Sequence, residues 1–236
     1  MSDHQHTCNP PSSSTSAHPA VTSPDPTTTS PAVAATTQDA AQGGQSTTSA
    51  SSAAQLAGLK ADLRAAVKVW PDFPKPGILF EDIMPIFQDP VLFNKLLDAC
   101  QLHITDTYGT DKPVDVIMGL EARGFLFGPA LALRLGCSFV PFRKKGKLPG
   151  PTQTASYVKE YGEDFFEIQH GVIKPGQRVI VVDDLIATGG SASAAGSLVK
   201  WVRGTLLGYI FIIELDFLKG REKLEGNVFT LLHSQN

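Results

Sequence analysis

From Gln55 to Trp70, apolar residues recur at steps of three and four, at Leu56, Leu59, Leu63, Ala66, Val67 and Trp70. This periodicity predicts an amphipathic helix opening the folded part of the chain. Pro71, Pro74 and Pro76 then impose an extended, irregular path. Asp89-Pro90 places a good cap before a proline in the first helical position, so a second helix should start there and bury Leu92, Phe93, Leu96, Leu97 and Cys100. Further on, Val114 to Met118 reads as a strand, Gly124 to Leu135 as a helix and Ser138 to Phe142 as a strand. Val179-Ile180-Val181-Val182 follows the turn Lys174-Pro175-Gly176-Gln177; four β-branched residues in a row predict a strand buried on both faces. Ser191 to Leu198 continues as a helix, and Leu206 to Leu215 is the next apolar strand. Strands alternating with helices imply an α/β fold with a parallel sheet, whose ligands gather at the carboxyl ends of the strands.

Composition adds a boundary. Of residues 1 to 54, 37 are Ser, Thr, Ala or Pro, and no Leu, Ile, Phe, Tyr or Trp occurs before Leu56. Such a segment buries too little apolar surface to offset ordering its backbone, so 1–54 is expected to be a disordered tail and 55–236 the domain. The tail has no Lys or Arg before Lys60, unlike a transit peptide, and no apolar core of a secretory signal. No run of 18 apolar residues suggests a membrane span. Cys8, Cys100 and Cys137 lack metal-type spacing, which favours a reduced, cytoplasmic protein. With a net charge of -3 and one short basic cluster, nucleic acid is a poor partner.

The chemistry concentrates after the buried strand, in Asp183-Asp184-Leu185-Ile186-Ala187-Thr188-Gly189-Gly190-Ser191. The glycine pair allows a tight turn into a helix N-terminus, where converging amides make a phosphate cradle. Carboxylates repel phosphate, so Asp183 and Asp184 suit a pair of sugar hydroxyls or the water shell of magnesium beside it. Neither a Walker lysine nor a Gly-x-Gly-x-x-Gly run is present. The implied ligand is a ribose carrying a 5′-phosphate. A second cluster, Arg143, Lys144, Lys145 and Lys147, puts four cations within five positions, followed by glycines and prolines that argue against regular structure. It reads as a lid whose cations meet a diphosphate.

The Asp183–Ser191 segment resembles the 5-phosphoribosyl-1-diphosphate (PRPP) signature of type I phosphoribosyltransferases. Pro71 to Ile83, Gly119 to Gly128, Arg143 to Thr152, Ala155-Ser156-Tyr157 with Glu160-Tyr161-Gly162, and Leu218 to Leu224 resemble the adenine phosphoribosyltransferases in order and spacing. The resemblance spans roughly residues 58 to 232. It implies a central, mostly parallel sheet flanked by helices, with a small hood and a mobile lid, and conversion of adenine and PRPP to AMP and diphosphate in purine salvage. It also implies Mg2+ as cofactor, held mainly by the substrate, and a homodimer.

The site residues follow from the two readings together. The acids Asp183 and Asp184 would hold the ribose hydroxyls, and the loop Ala187, Thr188, Gly189, Gly190 and Ser191 the 5′-phosphate. For the diphosphate, the loop Glu121-Ala122-Arg123 offers amides and a guanidinium, which the resemblance makes the diphosphate site, commonly with a strained peptide at Glu121-Ala122. Arg143 and Lys147 are further candidates. Glu160 matches the acid that handles the proton on N7 of the purine. Adenine would sit against Phe80, with the backbone of Leu79, Phe80 and Glu81 matching its amino donor and ring acceptor; Glu81 departs from the basic residue usual in animal members. Two rivals remain at this point: a sister enzyme for another nucleobase, and a non-catalytic PRPP-sensing regulator, which the absence of any basic residue in the tail disfavours.

Overall fold

The structure is a computed structural model and describes residues 44–159 and 162–234, with side chains described for 50–156 and 164–234. Helix α1 runs Gly44–Ala66 and packs Leu56, Leu59 and the fully buried Leu63 into the core. It starts inside the segment expected to lack structure and stops before Trp70. Val67 and Trp70 prolong the helical spacing by coincidence: strand β1, Lys68–Pro71, begins there and pairs antiparallel with β2, Leu79–Asp82. The connecting loop is closed by Asp72, whose Oδ1 accepts the Gly77 amide at 2.8 Å.

Helices α2, Met84–Gln88, and α3, Pro90–Tyr108, follow. The latter begins as expected, with the Asp89 carboxylate accepting the amides of Val91 at 2.7 Å and Leu92 at 3.4 Å. Strand β3 is Val116–Leu120, two residues later than the sequence suggested. A short 3₁₀ turn, Arg123–Phe125, then separates it from α4, Gly128–Leu135, so the single helix expected from Gly124 is interrupted. Strand β4 is Ser138–Lys144, β5 Thr152–Lys159 and β6 Gly162–Gln169. This corrects the lack of regular structure expected after the basic cluster: the glycines and prolines that follow it are confined to the turn between β4 and β5, and β5 pairs antiparallel with β6 along its length. Strand β7, Arg178–Ile186, helix α5, Gly190–Trp201, strand β8, Thr205–Glu214, and a further strand β9, Asn227–His233, complete the chain.

The main sheet has the order β5-β6-β4-β3-β7-β8-β9, with β4, β3, β7, β8 and β9 mutually parallel and the β5–β6 pair antiparallel at one edge. Side chains alternate across β7: Ile180 and Val182 enter the layer beneath α1, α3 and α4, while Val179 and Val181 enter the layer beneath α5. Both faces are covered, which is why this strand carries an unbroken apolar run. Its carboxyl end therefore emerges between two packed layers, and the two-stranded β1–β2 unit stands beside it as a hood. Among the described residues no helix is long and apolar enough to cross a membrane.

Candidate active site

The end of β7 is where the apolar run gives way to Asp183 and Asp184, both still within the strand. Adjacent strand residues face opposite ways, and the two acids do so here. Asp184 is buried and meets Arg123, with the guanidinium Nε 2.5 Å from Oδ2. Asp183 lies on the α5 side, and its Oδ1 accepts the Asp184 amide at 2.9 Å. Burial first, and the neighbouring charge of Asp184 second, push the Asp183 carboxyl well above the usual carboxylate range. A carboxylate so placed gains from hydroxyl donors or a hydrated cation.

Beyond the acids the chain turns through Ala187, Thr188 and Gly189 into α5. Gly189 has φ 76° and no side chain caps this helix, so its first amides are open to an anion. A β-carbon on Gly189 would lie 2.3 Å from the Gly220 carbonyl oxygen, and one on Gly220 would lie 2.1 Å from the Ala187 carbonyl oxygen. The cradle is thus moulded against Gly220, which sequence reasoning missed because a lone glycine in Leu218 to Leu224 carries no sign of its long-range contact.

Two clefts open here. The smaller, about 210 Å³, is lined by Asp183, Asp184, Ala187, Thr188, Gly189, Gly190 and Ser191, together with Arg123. The larger, about 700 Å³, lies under the hood and is lined by Trp70, Phe73, Phe80, Glu81, Asp82, Leu185 and Ile213, among others. They share Asp184, Arg123 and Leu185. One end therefore offers amides and the other offers aromatic rings; Phe73 meets Phe80 edge to face at 5.1 Å.

Of the base-site candidates, Phe80 and Glu81 line the larger cleft and Leu79 does not. Glu81 binds Arg64 of α1, with Nη1 2.5 Å from Oε1, and its side chain is almost enclosed. This ties the hood strand to the body of the protein, while the other carboxylate oxygen, Oε2, is buried without a hydrogen-bond partner among the described residues. Trp70, Phe73 and Leu185 were not among the expected residues; Trp70 was hidden by the helical spacing it shares.

The diphosphate candidates divide. Arg123 stands between the two clefts. Glu121 and Arg143 bind each other, with Nη2 to Oε1 at 2.8 Å, and the Lys144 amide donates to Glu121 Oε2 at 2.9 Å. Hydrogen bonding from Arg143 holds Glu121 below the ordinary carboxylate range, with lesser contributions from the Lys144 amide and the charge of Lys147. The Glu121–Ala122 peptide is cis. Lys147 is exposed in the turn after β4, and its carbonyl accepts from Arg143 Nη1 at 3.1 Å. Glu160 lies outside the described residues.

Fold and site together define a type I phosphoribosyltransferase. A family profile described as a phosphoribosyl transferase domain matches residues 94–231. Adenine phosphoribosyltransferase from Yarrowia lipolytica is 61% identical over 180 residues, covering 76% of this chain and 98% of the relative. Among solved structures, the Saccharomyces cerevisiae enzyme complexed with an imino-altritol bisphosphate and adenine aligns with a TM-score of 0.72 at 57% identity, covering 75% of this chain and 99% of that one. The Trypanosoma brucei enzyme, solved with AMP, pyrophosphate and ribose-5-phosphate, aligns with a TM-score of 0.65 at 29% identity, covering 74% and 79%. The chain belongs to the adenine phosphoribosyltransferases.

Proposed function

We infer that this enzyme transfers the phosphoribosyl group of PRPP to adenine, giving AMP and diphosphate in purine salvage. The observation carrying this reading is the meeting of an aromatic cleft and an amide-lined cleft at Asp184, Arg123 and Leu185. A base held in the first and a 5-phosphoribosyl group held in the second would present the ring nitrogen to C1 of the ribose at their junction.

In this reading the amides of Thr188 to Ser191 hold the 5′-phosphate and the two acids accept the ribose hydroxyls. Arg123, with the backbone of Glu121 and Ala122, faces the departing diphosphate, where positive charge counts most as the C1–O bond lengthens. Arg143, near the end of β4, and Lys147, in the turn that follows, add to that charge. Adenine packs on Phe80, and the β2 backbone matches its donor and acceptor edge. Glu160 serves as the proton-handling acid at N7.

The donor set fits Mg2+ held mainly by the substrate. Asp183 and Asp184 can accept from its water shell, and when bound it would neutralise charge on the diphosphate. The three-residue group Glu214, Asp216 and His233 is a poorer cation site, because Glu214 already binds Arg221 at 2.5 Å. The free thiols of Cys100 and Cys137 agree with a cytoplasmic enzyme, and the family resemblance implies a homodimer. AMP formation from adenine, PRPP and Mg2+, measured beside hypoxanthine and guanine, tests the reading. Turnover of another base in preference to adenine would overturn the substrate assignment.

A further inference from the structure

Glu167 is an acid within β6, only 3% exposed and flanked in the strand by the buried Phe166 and Ile168. Burying a carboxylate there is costly unless its oxygens are fully bonded. They are. Oε1 accepts the amides of Gly146 at 2.9 Å, Lys147 at 3.2 Å and Leu148 at 3.3 Å, while Oε2 accepts the Thr152 hydroxyl at 3.0 Å. Three successive amides converging on one oxygen form an anion-binding nest, filled here by the protein's own charge.

The turn held this way leads directly to a cation. The Lys147 carbonyl, inside the nest, accepts from Arg143, whose other anchor is Glu121 of the loop after β3. Glu167 also stands directly across the sheet from Arg143. This turn joins β4 to β5, which flank β6 and do not pair with each other, so no ladder between them closes it and Glu167 of the intervening strand supplies the acceptor for its amides. Charge-assisted bonds to three amides fix the turn in one shape, and with it the carbonyl that aims the guanidinium.

We propose that Glu167 is a positioning residue: its carboxylate presets the basic turn so that Arg143 and Lys147 meet the diphosphate without a reordering cost. The proposal rests on the phosphoribosyl-transfer reading and concerns only the diphosphate end of the site. No residue of this turn lines the cleft under the hood or the smaller cleft beside it, so adenine binding should be independent of the turn.

Glu167→Ala and the shape-preserving Glu167→Gln test this in the full chain. The Ala variant should raise KM for PRPP about tenfold and weaken direct calorimetric binding of magnesium diphosphate by a similar factor, leaving KM for adenine within twofold. The Gln variant, which keeps an oxygen acceptor but loses the charge, should fall between Ala and wild type. Hydrogen exchange at the Gly146, Lys147 and Leu148 amides should accelerate in both, a readout that does not depend on turnover. Unchanged exchange in Glu167→Gln would overturn the anchoring. Faster exchange with unaltered diphosphate affinity, or equal losses for adenine and PRPP, would reduce Glu167 to a structural residue. Because exchange and diphosphate binding are read directly, failure of the transfer assay in wild type would count against the proposed reaction and not against this anchor.

Discussion

Arg123 Nε lies 2.5 Å from Asp184 Oδ2, so the residue facing both clefts reaches the site already paired with one of its two acids. Among the described residues no ion pair reaches the Asp183 oxygens, and burial, then the charge of Asp184, raise its proton affinity against the opposing charge of Arg123. The pair is asymmetric: Asp184 is compensated by Arg123, and Asp183 is not paired with a cation among the described residues.

That asymmetry makes stability depend on pH. The folded chain retains a proton on Asp183 in a window above the ordinary aspartate value of 3.8, where the unfolded chain has released it. Stability therefore falls as pH rises through that window and stays reduced above it. Asp183→Asn removes the penalty while keeping an oxygen for the Asp184 amide. Without ligand, its melting temperature should exceed that of wild type by about 2–4 °C at pH 7, with the gap closing as pH falls toward 4. PRPP affinity should drop at the same time. Scanning calorimetry across pH checks this, and a variant no more stable than wild type at pH 7 would show that Asp183 is not under strain.

Gly220→Ala should damage the phosphate cradle without touching the acids. The added carbon would have to sit 2.1 Å from the Ala187 carbonyl oxygen, so the loop must shift. KM for PRPP should rise at least about tenfold, with KM for adenine nearly unchanged. Calorimetry with ribose-5-phosphate gives the same answer without catalysis; normal affinity there would mean that the loop tolerates displacement.

Trp70 is 52% exposed on the wall of the larger cleft and is Phe80's cross-strand partner. The chain has two tryptophans, so Trp201→Phe leaves Trp70 as the sole indole reporter. Adenine or AMP should shift and quench its emission, and Trp70→Ala should raise KM for adenine by about threefold to tenfold through lost aromatic contact. An emission spectrum indifferent to saturating adenine would remove Trp70 from the base site.

Legibility in the sequence followed the range of the interactions. The strand Val179 to Val182 and the cap at Asp89 were readable because both are local: burial on two faces requires an unbroken β-branched run, and a capping carboxylate needs only the next amides. That Asp183, Asp184 and the loop Ala187 to Ser191 share one cleft was readable for the same reason, since they lie close together in sequence at one strand end. The β1–β2 hood was partly missed because Val67 and Trp70 happen to continue the spacing of α1, and spacing cannot see the partner strand that competes for them. The β5–β6 pair was missed where glycines and prolines in the turn dominated the reading of the whole stretch. Glu167 offered no signal at all: among Phe165, Phe166 and Ile168 it reads as an ordinary outward-facing strand residue, and only the folded turn brings the three amides to it.

The contact between Gly189 and Gly220 also sets an order of events in making the protein. Strand β7 and helix α5 can associate soon after they leave the ribosome, because they are neighbours in the chain. The contact of that loop with Gly220 can form only once the segment after β8 has been synthesised. A nascent chain that stops short of Gly220 carries every residue assigned to phosphate and ribose, yet has nothing against which to shape them. In the reading proposed above, a ribose phosphate would therefore meet the complete cradle only on a chain whose Gly220 has closed against Ala187 and Gly189.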